Sequence, residues 1–216
     1  MNKPGAIEYC QLLSDEGICS YRGDFPHLTT FTAKSFKCLM SAAERSVLTP
    51  YYSLREEIDS LCESLEKVHE KQLNCKKGCD LCCMAISVFP VEFYAIRAEL
   101  DFEALPELPI PTDAAQCRFL VDHSCTIYNS RPIICRTHGL PLLYRSMDSE
   151  EYELSLCELN FKEYDFEDFD EENTYPMDRI NSQLYRINKD FAAGFEGGRY
   201  NEQDRIPLSD LIALQQ

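Results

Sequence analysis

The stretch that decides the fold is Cys75-Lys-Lys-Gly-Cys79-Asp-Leu-Cys82-Cys83, in which four cysteines fall within nine residues. A metal ion or cluster needs three or four thiolates that converge on one point, and the C-x3-C-x2-C-C spacing can supply them. The same spacing also fits a buried cysteine stripe on one helix face. Lys76, Lys77 and Gly78 are typical of a helix end rather than its middle, so the pattern favours metal ligands.

Cys82 and Cys83 are neighbours in the chain. In an extended backbone, adjacent side chains point to opposite sides. The two thiols would then reach different metals, or one would bind metal while the other packs or reacts.

A second group of cysteines follows, and two of them flank a predicted hairpin. The runs Cys117-Arg-Phe-Leu-Val and Cys125-Thr-Ile-Tyr are rich in β-forming residues and surround the polar turn Asp122-His-Ser. This pattern predicts a β-hairpin with a cysteine on each arm.

Cys135 is predicted to lie in one short helical turn. Pro132 suits its first turn, Asn129 or Ser130 can cap it, and Gly139 can end it. Cys157 comes later, in the run Leu156-Cys157-Glu-Leu-Asn.

Taken together, these residues resemble the YkgJ-like cysteine-cluster family of zinc- or iron-chelating domains. The resemblance rests on the first four cysteines and on the runs Cys125-Thr-Ile-Tyr, Arg131-Pro132 and Cys135-Arg136, and it covers about residues 75–160. It implies metal or cluster binding, with Cys157 similar to the last cysteine of the family. The implied ligands are Cys75, Cys79, Cys82, Cys83, Cys117, Cys125, Cys135 and Cys157.

The bound metal is expected to be an iron–sulfur cluster or zinc. Eight thiolates could close two tetrahedral zinc sites, or four could hold one cluster and leave the others structural or redox-active. The purely thiolate ligand set and the x3–x2 spacing favour iron–sulfur slightly. For Arg136, a role beside the ligands and a structural salt bridge both stay open. The basic residues placed to offset the negative charge of the site are Lys76, Lys77, Arg118, Arg131 and Arg136.

The sequence assigns no enzymatic reaction. Flagellin lysine methylases have a similar cysteine pattern, but no separate cofactor-binding motif is found here, so methyl transfer does not carry over. A radical S-adenosylmethionine enzyme is discounted because the repeated strand–helix units of a barrel are missing. No catalytic pairing can be assigned to the histidines, although His138 is a candidate replacement ligand or proton donor. The four histidines are His27, His69, His123 and His138.

Composition limits the class of protein and its partners. The chain has 216 residues, of which 44% are hydrophobic and 27% charged, as in ordinary globular proteins. Its net charge of -16 repels phosphate backbones and anionic lipids, so neither nucleic acid nor membrane is an expected partner. The N-terminal residues lack a signal-peptide pattern, which favours the cytoplasm, where thiols stay reduced. The outlying cysteines are expected to pack rather than bind metal: Cys10, Cys19, Cys38 and Cys62.

Residues 148–178 contain thirteen acidic residues and one lysine, a local net charge of -12. Apolar side chains alternate with the carboxylates, so this acidic segment is expected to lie on the domain with those side chains inward. They are Leu154, Leu156, Phe161, Tyr164, Phe166 and Phe169. The carboxylate surface is a candidate docking site for a protein partner.

The predicted fold is a single α+β, α-rich domain in which helices surround a small cysteine-lined metal core with a short β-hairpin. Apolar spacing predicts a helix over about residues 53–73, opened by a capping box of Ser53 and Glu56. Further helices are predicted from Pro90, from Met177 to Gly194 and over 208–214. The chain is divided into an N-terminal helical segment (1–74), the cysteine-cluster core (75–160), and the acidic aromatic segment with C-terminal helices (161–216).

The predicted function is a cytosolic protein that holds an iron–sulfur cluster or zinc through up to eight cysteines. Its metal would serve redox chemistry, metal handling or an associated enzymatic step. The alternative is a structural zinc domain that acts as a protein-interaction module and unfolds on chelation. A third hypothesis is a thiol redox sensor in which Cys82 and Cys83 cycle without metal.

Overall fold

The computed structural model describes residues 42–76, 78–108, 113–146, 148–149, 151–195 and 198–213. Within these residues, five α-helices accompany seven short strands, which confirms the α-rich α+β class. No helix among them is both long enough and apolar enough to span a bilayer. Several residues singled out above lie outside the described residues: Cys10, Cys19, Cys38, His27 and Lys77.

The helices are α1 (Ala42–Val68), α2 (Pro90–Glu99), α3 (Ile133–Thr137), α4 (Met177–Gly194) and α5 (Asp210–Ala213). The strands are β1 (Ser87–Val88), β2 (Leu120–Val121), β3 (Ser124–Cys125), β4 (Leu142–Arg145), β5 (Tyr152–Ser155), β6 (Tyr175–Pro176) and β7 (Ile206–Pro207). β1 pairs with β7, β2 pairs with β3, and β4 lies between β5 and β6. The helices predicted from Pro90 and from Met177 to Gly194 are confirmed.

The hydrophobic core lies where α1, α2 and α4 pack together, and we call these three helices the helical body. Ile58 of α1, Ile96 of α2 and Ile180 of α4 are fully buried. Burial of one such side chain contributes about 1.5–3 kcal/mol to folding. Asn188 of α4 is also fully buried, and its side-chain oxygen accepts a hydrogen bond from the Val91 N–H of α2 at 3.2 Å. Apolar burial thus dominates this part of the fold, and the Asn188–Val91 hydrogen bond adds a buried polar contact between α4 and α2.

Helix α1 begins earlier and ends earlier than the sequence predicts. It runs through Pro50, which lacks the N–H needed for a helical hydrogen bond. Leu48 and Tyr51 on either side of the proline are almost fully buried, so tertiary packing outweighs that lost bond. Because Ser53 is interior to the helix, the predicted capping box at its start is wrong. The helix ends at Val68, whose side chain is 61% exposed rather than on the inner face.

The acidic segment lies on the domain through part of its apolar set. Phe161 is buried, and its ring makes an edge contact with His69 at a centroid distance of 5.0 Å. Tyr164 and Phe169 are partly buried around Phe161. Phe166 is exposed, as is Leu156, so the inward prediction is wrong for these two residues.

The start of the acidic segment forms a strand, β5, that the sequence pattern does not predict. β5 pairs antiparallel with β4, and β4 pairs parallel with β6. The strands are short, and most β5 side chains are exposed, so no alternation of apolar residues marks them in the sequence. Asp178 at the start of α4 accepts a hydrogen bond from the Arg145 N–H at 2.6 Å, which fixes the end of β4 to that helix.

Candidate metal centre

The eight predicted ligands come from four segments of the chain. Four lie in the turns that follow α1, two at the β2–β3 hairpin, one in α3 and one after β5. All eight are free cysteines. We call residues 74–85, 113–139 and 157–160 the cysteine-bearing loops. The ninth described cysteine, Cys62, is buried in the core on α1, as predicted.

Backbone hydrogen bonds join Cys83, Cys117 and Cys125. The Cys117 N–H donates to the Cys83 carbonyl at 3.2 Å, and the Leu120 N–H donates to the Cys117 carbonyl at 3.2 Å. Leu120 in turn pairs with Cys125 across the hairpin. Three cysteines that are far apart in sequence are therefore held close together by main-chain contacts alone.

The hairpin itself is confirmed, with one correction. Asp122 and His123 have φ of 47° and 58°, and two such residues make the tight turn that matches strand twist. Cys125 lies in β3, as predicted. Cys117 precedes β2 by three residues rather than lying on the arm, because the chain there already bonds to Cys83.

The short helix that carries Cys135 is confirmed, but its cap comes from another element. Neither Asn129 nor Ser130 caps it. Glu92 of α2 accepts a hydrogen bond from the Ile133 N–H at 3.1 Å. Glu92 is buried, which raises the pKa of its carboxyl group, while the bonds from Ile133 and Phe89 oppose that rise. The start of α3 faces the protein interior, so its backbone N–H group donates to a buried side chain, that of Glu92.

The side chain of Asn160 contacts Cys75, the first cysteine of the cluster. It is 4% exposed, and its side-chain N–H groups donate to the Gly139 carbonyl at 2.8 Å and contact Cys75 Sγ at 3.4 Å. Its side-chain oxygen accepts a hydrogen bond from the Asn74 N–H at 2.8 Å. The Asn160 N–H also bonds to the Cys157 carbonyl at 2.9 Å. Through its side-chain amide and its backbone N–H, Asn160 thus joins the segments of Cys75, Gly139 and Cys157.

Gly139 permits this arrangement in two ways. Its φ of +95° favours glycine, and a Cβ at this position would overlap Cys75 Sγ. The sequence pattern predicts Gly139 only as the end of a helix and does not indicate Asn160. No sequence signal marks Asn160, because the partners of its side chain lie 21 to 86 residues away.

The thiols whose charges act on Cys82 are Cys79 and Cys75, from the same segment, and Cys157. Although the Cys82 residue as a whole is exposed, partial burial of its thiol raises the pKa, and a backbone hydrogen bond opposes this rise. The charges of Cys79, Cys75 and Cys157 raise the pKa further. Cys82 therefore shares its surroundings with Cys157, from the far end of the cysteine-bearing loops.

Cys83 has a different set of neighbours. Burial raises its pKa to about 12, with further contributions from Cys82, Cys117 and Cys125. Burial likewise raises the pKa of Cys135 to about 12, and its nearest like charges are Cys117, Cys125 and Cys83, followed by Cys82. Such thiols become metal ligands only by losing a proton, so metal binding at this site releases protons.

The donor chemistry suits zinc or iron, since every candidate ligand is a soft sulfur. Among the described residues, no three His, Cys, Asp or Glu side chains form a group that could hold a metal ion as they stand. The thiols are neighbours without converging on one point, so binding would require the sulfurs to close on the metal. Several lie in turns and loops rather than in rigid elements, which allows such closure.

The basic residues near the cysteines have distinct structural roles. Arg136 is buried and donates to both Asp59 carboxylate oxygens at 2.7 and 2.8 Å, and to the carbonyls of Arg131 and Asn129. Of its two predicted roles, the structure shows the salt bridge. Arg131 lies 3.7 Å from the centre of the Tyr128 ring, a cation–π contact.

Two histidines lie in the cysteine-bearing loops. His123 Nδ1 lies 2.8 Å from Asp80 Oδ2 on an exposed turn. His138 is partly buried, which lowers its pKa. A cavity of about 130 Å³ borders Cys117 and Phe119. It is smaller than the roughly 300–1,000 Å³ of typical small-molecule sites.

Comparison with known families identifies the cysteine-bearing part of the chain. Residues 74–172, a little under half of the chain, match the family model CxxCxxCC, described as "Putative zinc- or iron-chelating domain". That name has two residues between the first two cysteines, where this chain has three. No curated protein and no solved structure shows significant similarity to the chain. Over residues 74–172 the chain is therefore similar to the cysteine-cluster family of zinc- or iron-chelating domains, as the sequence resemblance indicated.

Proposed function

We propose that this protein binds zinc or an iron–sulfur cluster through its eight clustered cysteines, for redox chemistry, metal handling or an associated enzymatic step. The observation that carries the proposal is that the loops bearing eight free thiols are joined to one another by main-chain hydrogen bonds and by the Asn160 side chain. Thiols in a purely packing role do not need such proximity. The family match to a zinc- or iron-chelating domain supports the same conclusion.

Metal binding accounts for the site better than thiol redox chemistry does. A reactive sensor cysteine needs a lowered thiol pKa. Burial raises the pKa of both Cys82 and Cys83 instead. A bound metal would stabilise the thiolates and offset that cost.

The choice between metals depends on the donor set. Four thiolates suit a tetrahedral zinc ion, and they equally suit an iron–sulfur cluster. The x3–x2 spacing of Cys75, Cys79 and Cys82 favours the cluster slightly. We propose a cytoplasmic setting, because reduced thiols persist there and the chain has a cluster of them.

Anaerobic purification of the full chain, followed by a visible spectrum and elemental analysis, tests the proposal. Brown protein with iron and acid-labile sulfide is expected for a cluster, and colourless protein with stoichiometric zinc for zinc sites. Cys79→Ser and Cys125→Ser should each reduce the bound metal, whereas the buried core variant Cys62→Ala should retain all of it. Folded wild-type protein without metal would refute the proposal.

The alternative function is a structural zinc domain that docks a protein partner through the acidic segment. The observation in its favour is that Tyr152 and Phe166 are each half exposed among the carboxylates of that segment. Exposed aromatic rings are common anchors of protein interfaces. This alternative predicts a zinc protein without redox activity. Replacement of both rings by alanine should then abolish capture of the partner while metal content stays unchanged.

A further inference from the structure

The proposed function leaves open which cysteines share a site, and the backbone geometry divides them. Cys117 donates to the carbonyl of Cys83, and Leu120 links Cys117 to Cys125 across the hairpin. Four thiols act electrostatically on Cys135, in decreasing order Cys117, Cys125, Cys83 and Cys82. The main-chain contacts make Cys83, Cys117 and Cys125 one neighbourhood at the hairpin, and these three act most strongly on Cys135 of α3.

The other four thiols are gathered by different contacts. Asn160 lies against Cys75 Sγ and bonds through its backbone to Cys157. Cys79 follows Cys75 by one turn, in which the Cys79 N–H donates to the Lys76 carbonyl at 3.0 Å. The charges acting on Cys82 come from Cys79, Cys75 and Cys157.

We propose that the eight cysteines form two separate four-thiolate metal sites that meet at the Cys82–Cys83 peptide. The proposal rests on the metal-binding function proposed above. Each set has the four thiolates that a tetrahedral zinc ion or an iron–sulfur cluster requires. The first site consists of Cys75, Cys79, Cys82 and Cys157. The second site consists of Cys83, Cys117, Cys125 and Cys135.

The neighbours Cys82 and Cys83 mark the border between the sites. Cys83 lies next to the Met84–Gln116 bridge, so its backbone belongs to the hairpin side. Cys82 lies in the preceding turn, where the Cys83 N–H bonds to the Asp80 carbonyl at 2.8 Å. Cys82 and Cys83 are adjacent but belong to different backbone elements. Each would therefore supply its thiol to a different site, and the two metals would stay apart.

The two sites differ in their access to solvent. The first contains Cys75 and Cys82, which are exposed, whereas all four thiols of the second are partly buried. A chelator reaches exposed ligands more easily. The first site should therefore release its metal before the second, in two resolved phases.

Metal stoichiometry of cysteine variants tests the division. The full chain and its variants would be purified anaerobically and analysed for zinc, iron and acid-labile sulfide. Cys79→Ser and Cys125→Ser should each remove half of the bound metal, and the combined variant should remove all of it. The control is a pair within one site: Cys79→Ser with Cys157→Ser should lose only the half that either one loses alone.

The outcomes separate failure of the division from failure of the function. The division is overturned if any single substitution removes all metal, or if the wild-type chain holds the metal of one site only. It is equally overturned if the pair within one site loses more metal than either single variant. A wild-type chain without any metal overturns the proposed function itself.

Asn160→Ala provides a second test that leaves every thiol in place. Loss of a partner that supports a ligand typically lowers metal affinity by 10–100-fold. In a Co²⁺ titration of the reduced chain, followed by thiolate charge-transfer absorption, only the first site should weaken by such a factor. Asn173→Ala is the matched control, because among the described residues its side-chain amide bonds within the 168–173 turn. Equal weakening of both sites in Asn160→Ala would overturn the division.

Discussion

In the helical body, fully buried side chains such as Ile58, Ile96 and Ile180 hold α1, α2 and α4 together, whereas the cysteine-bearing loops have few such residues. The loops are organised by single hydrogen bonds, by a hairpin with a two-residue turn and by one five-residue helix. Apolar burial stabilises the first region without any ligand. The second region contains the thiols and adds fewer buried side chains to the core, among them Phe119, Ile127 and Ile133. A bound metal would supply the missing cross-links, so the two regions should respond differently to the same disturbance.

Removal of metal should give the largest difference between the regions. Treatment of the reduced full chain with a chelator is expected to open the cysteine-bearing loops, because metal binding and local folding are coupled. The helical body should keep its far-UV circular dichroism signal, while hydrogen exchange becomes fast at residues such as Cys117 and Cys135. A chelator already saturated with zinc is the control. Simultaneous loss of the helical signal would show that the regions are not independent.

Substitution in the helical body should have the opposite effect. Ile180→Ala removes a fully buried side chain and should lower the free energy of unfolding by about 2–5 kcal/mol. Denaturant titration measures this loss, and the protein that remains folded should keep its full metal content. Val68→Ala, at an exposed position on α1, should change stability by less than about 0.5 kcal/mol. Metal loss from folded Ile180→Ala would contradict the separation of the two regions.

Two glycines with similar backbone conformations allow the effect of backbone strain to be distinguished from the effect of contact with the site. Gly139 and Gly198 have φ of +95° and +86°, so alanine at either position costs about 1–2 kcal/mol in backbone strain. Only at Gly139 would the added Cβ overlap Cys75 Sγ. Gly139→Ala should therefore destabilise more than Gly198→Ala, and only Gly139→Ala should weaken metal binding. Identical thermal stability and metal content in both variants would rule out this role for Gly139.

Arg136 joins the two regions, and its replacement should have a smaller effect than removal of metal or of a core side chain. Arg136→Lys keeps the charge but cannot make all the bonds to Asp59 and to two backbone carbonyls, so a loss of about 1–3 kcal/mol is expected. Arg179→Lys, in an exposed pair with Glu57, should cost about 0–1 kcal/mol. Denaturant titration of both variants provides the comparison. An equal loss in the two would mean that Arg136 does not link the regions.

The sequence predicted the elements that depend on local pattern. Proline at position 90, the apolar spacing after Met177 and the turn at Asp122 each act through neighbouring residues, and each corresponds to an observed element. The start of α1 could not be predicted, since burial of Leu48 and Tyr51 depends on partners elsewhere in the chain. For the same reason the cap of α3 by Glu92 could not be predicted, because Glu92 lies 41 residues away from Ile133.

For the candidate site, the sequence by itself determined the chemistry: eight cysteines, their short spacings and the family pattern that they match. Only the tertiary structure decided which thiols are neighbours, and it did so through main-chain bonds and the buried side chain of Asn160. Ligand type is a property of each residue and can be read along the chain. Proximity depends on long-range contacts, whose energies come from partners that the local sequence does not contain.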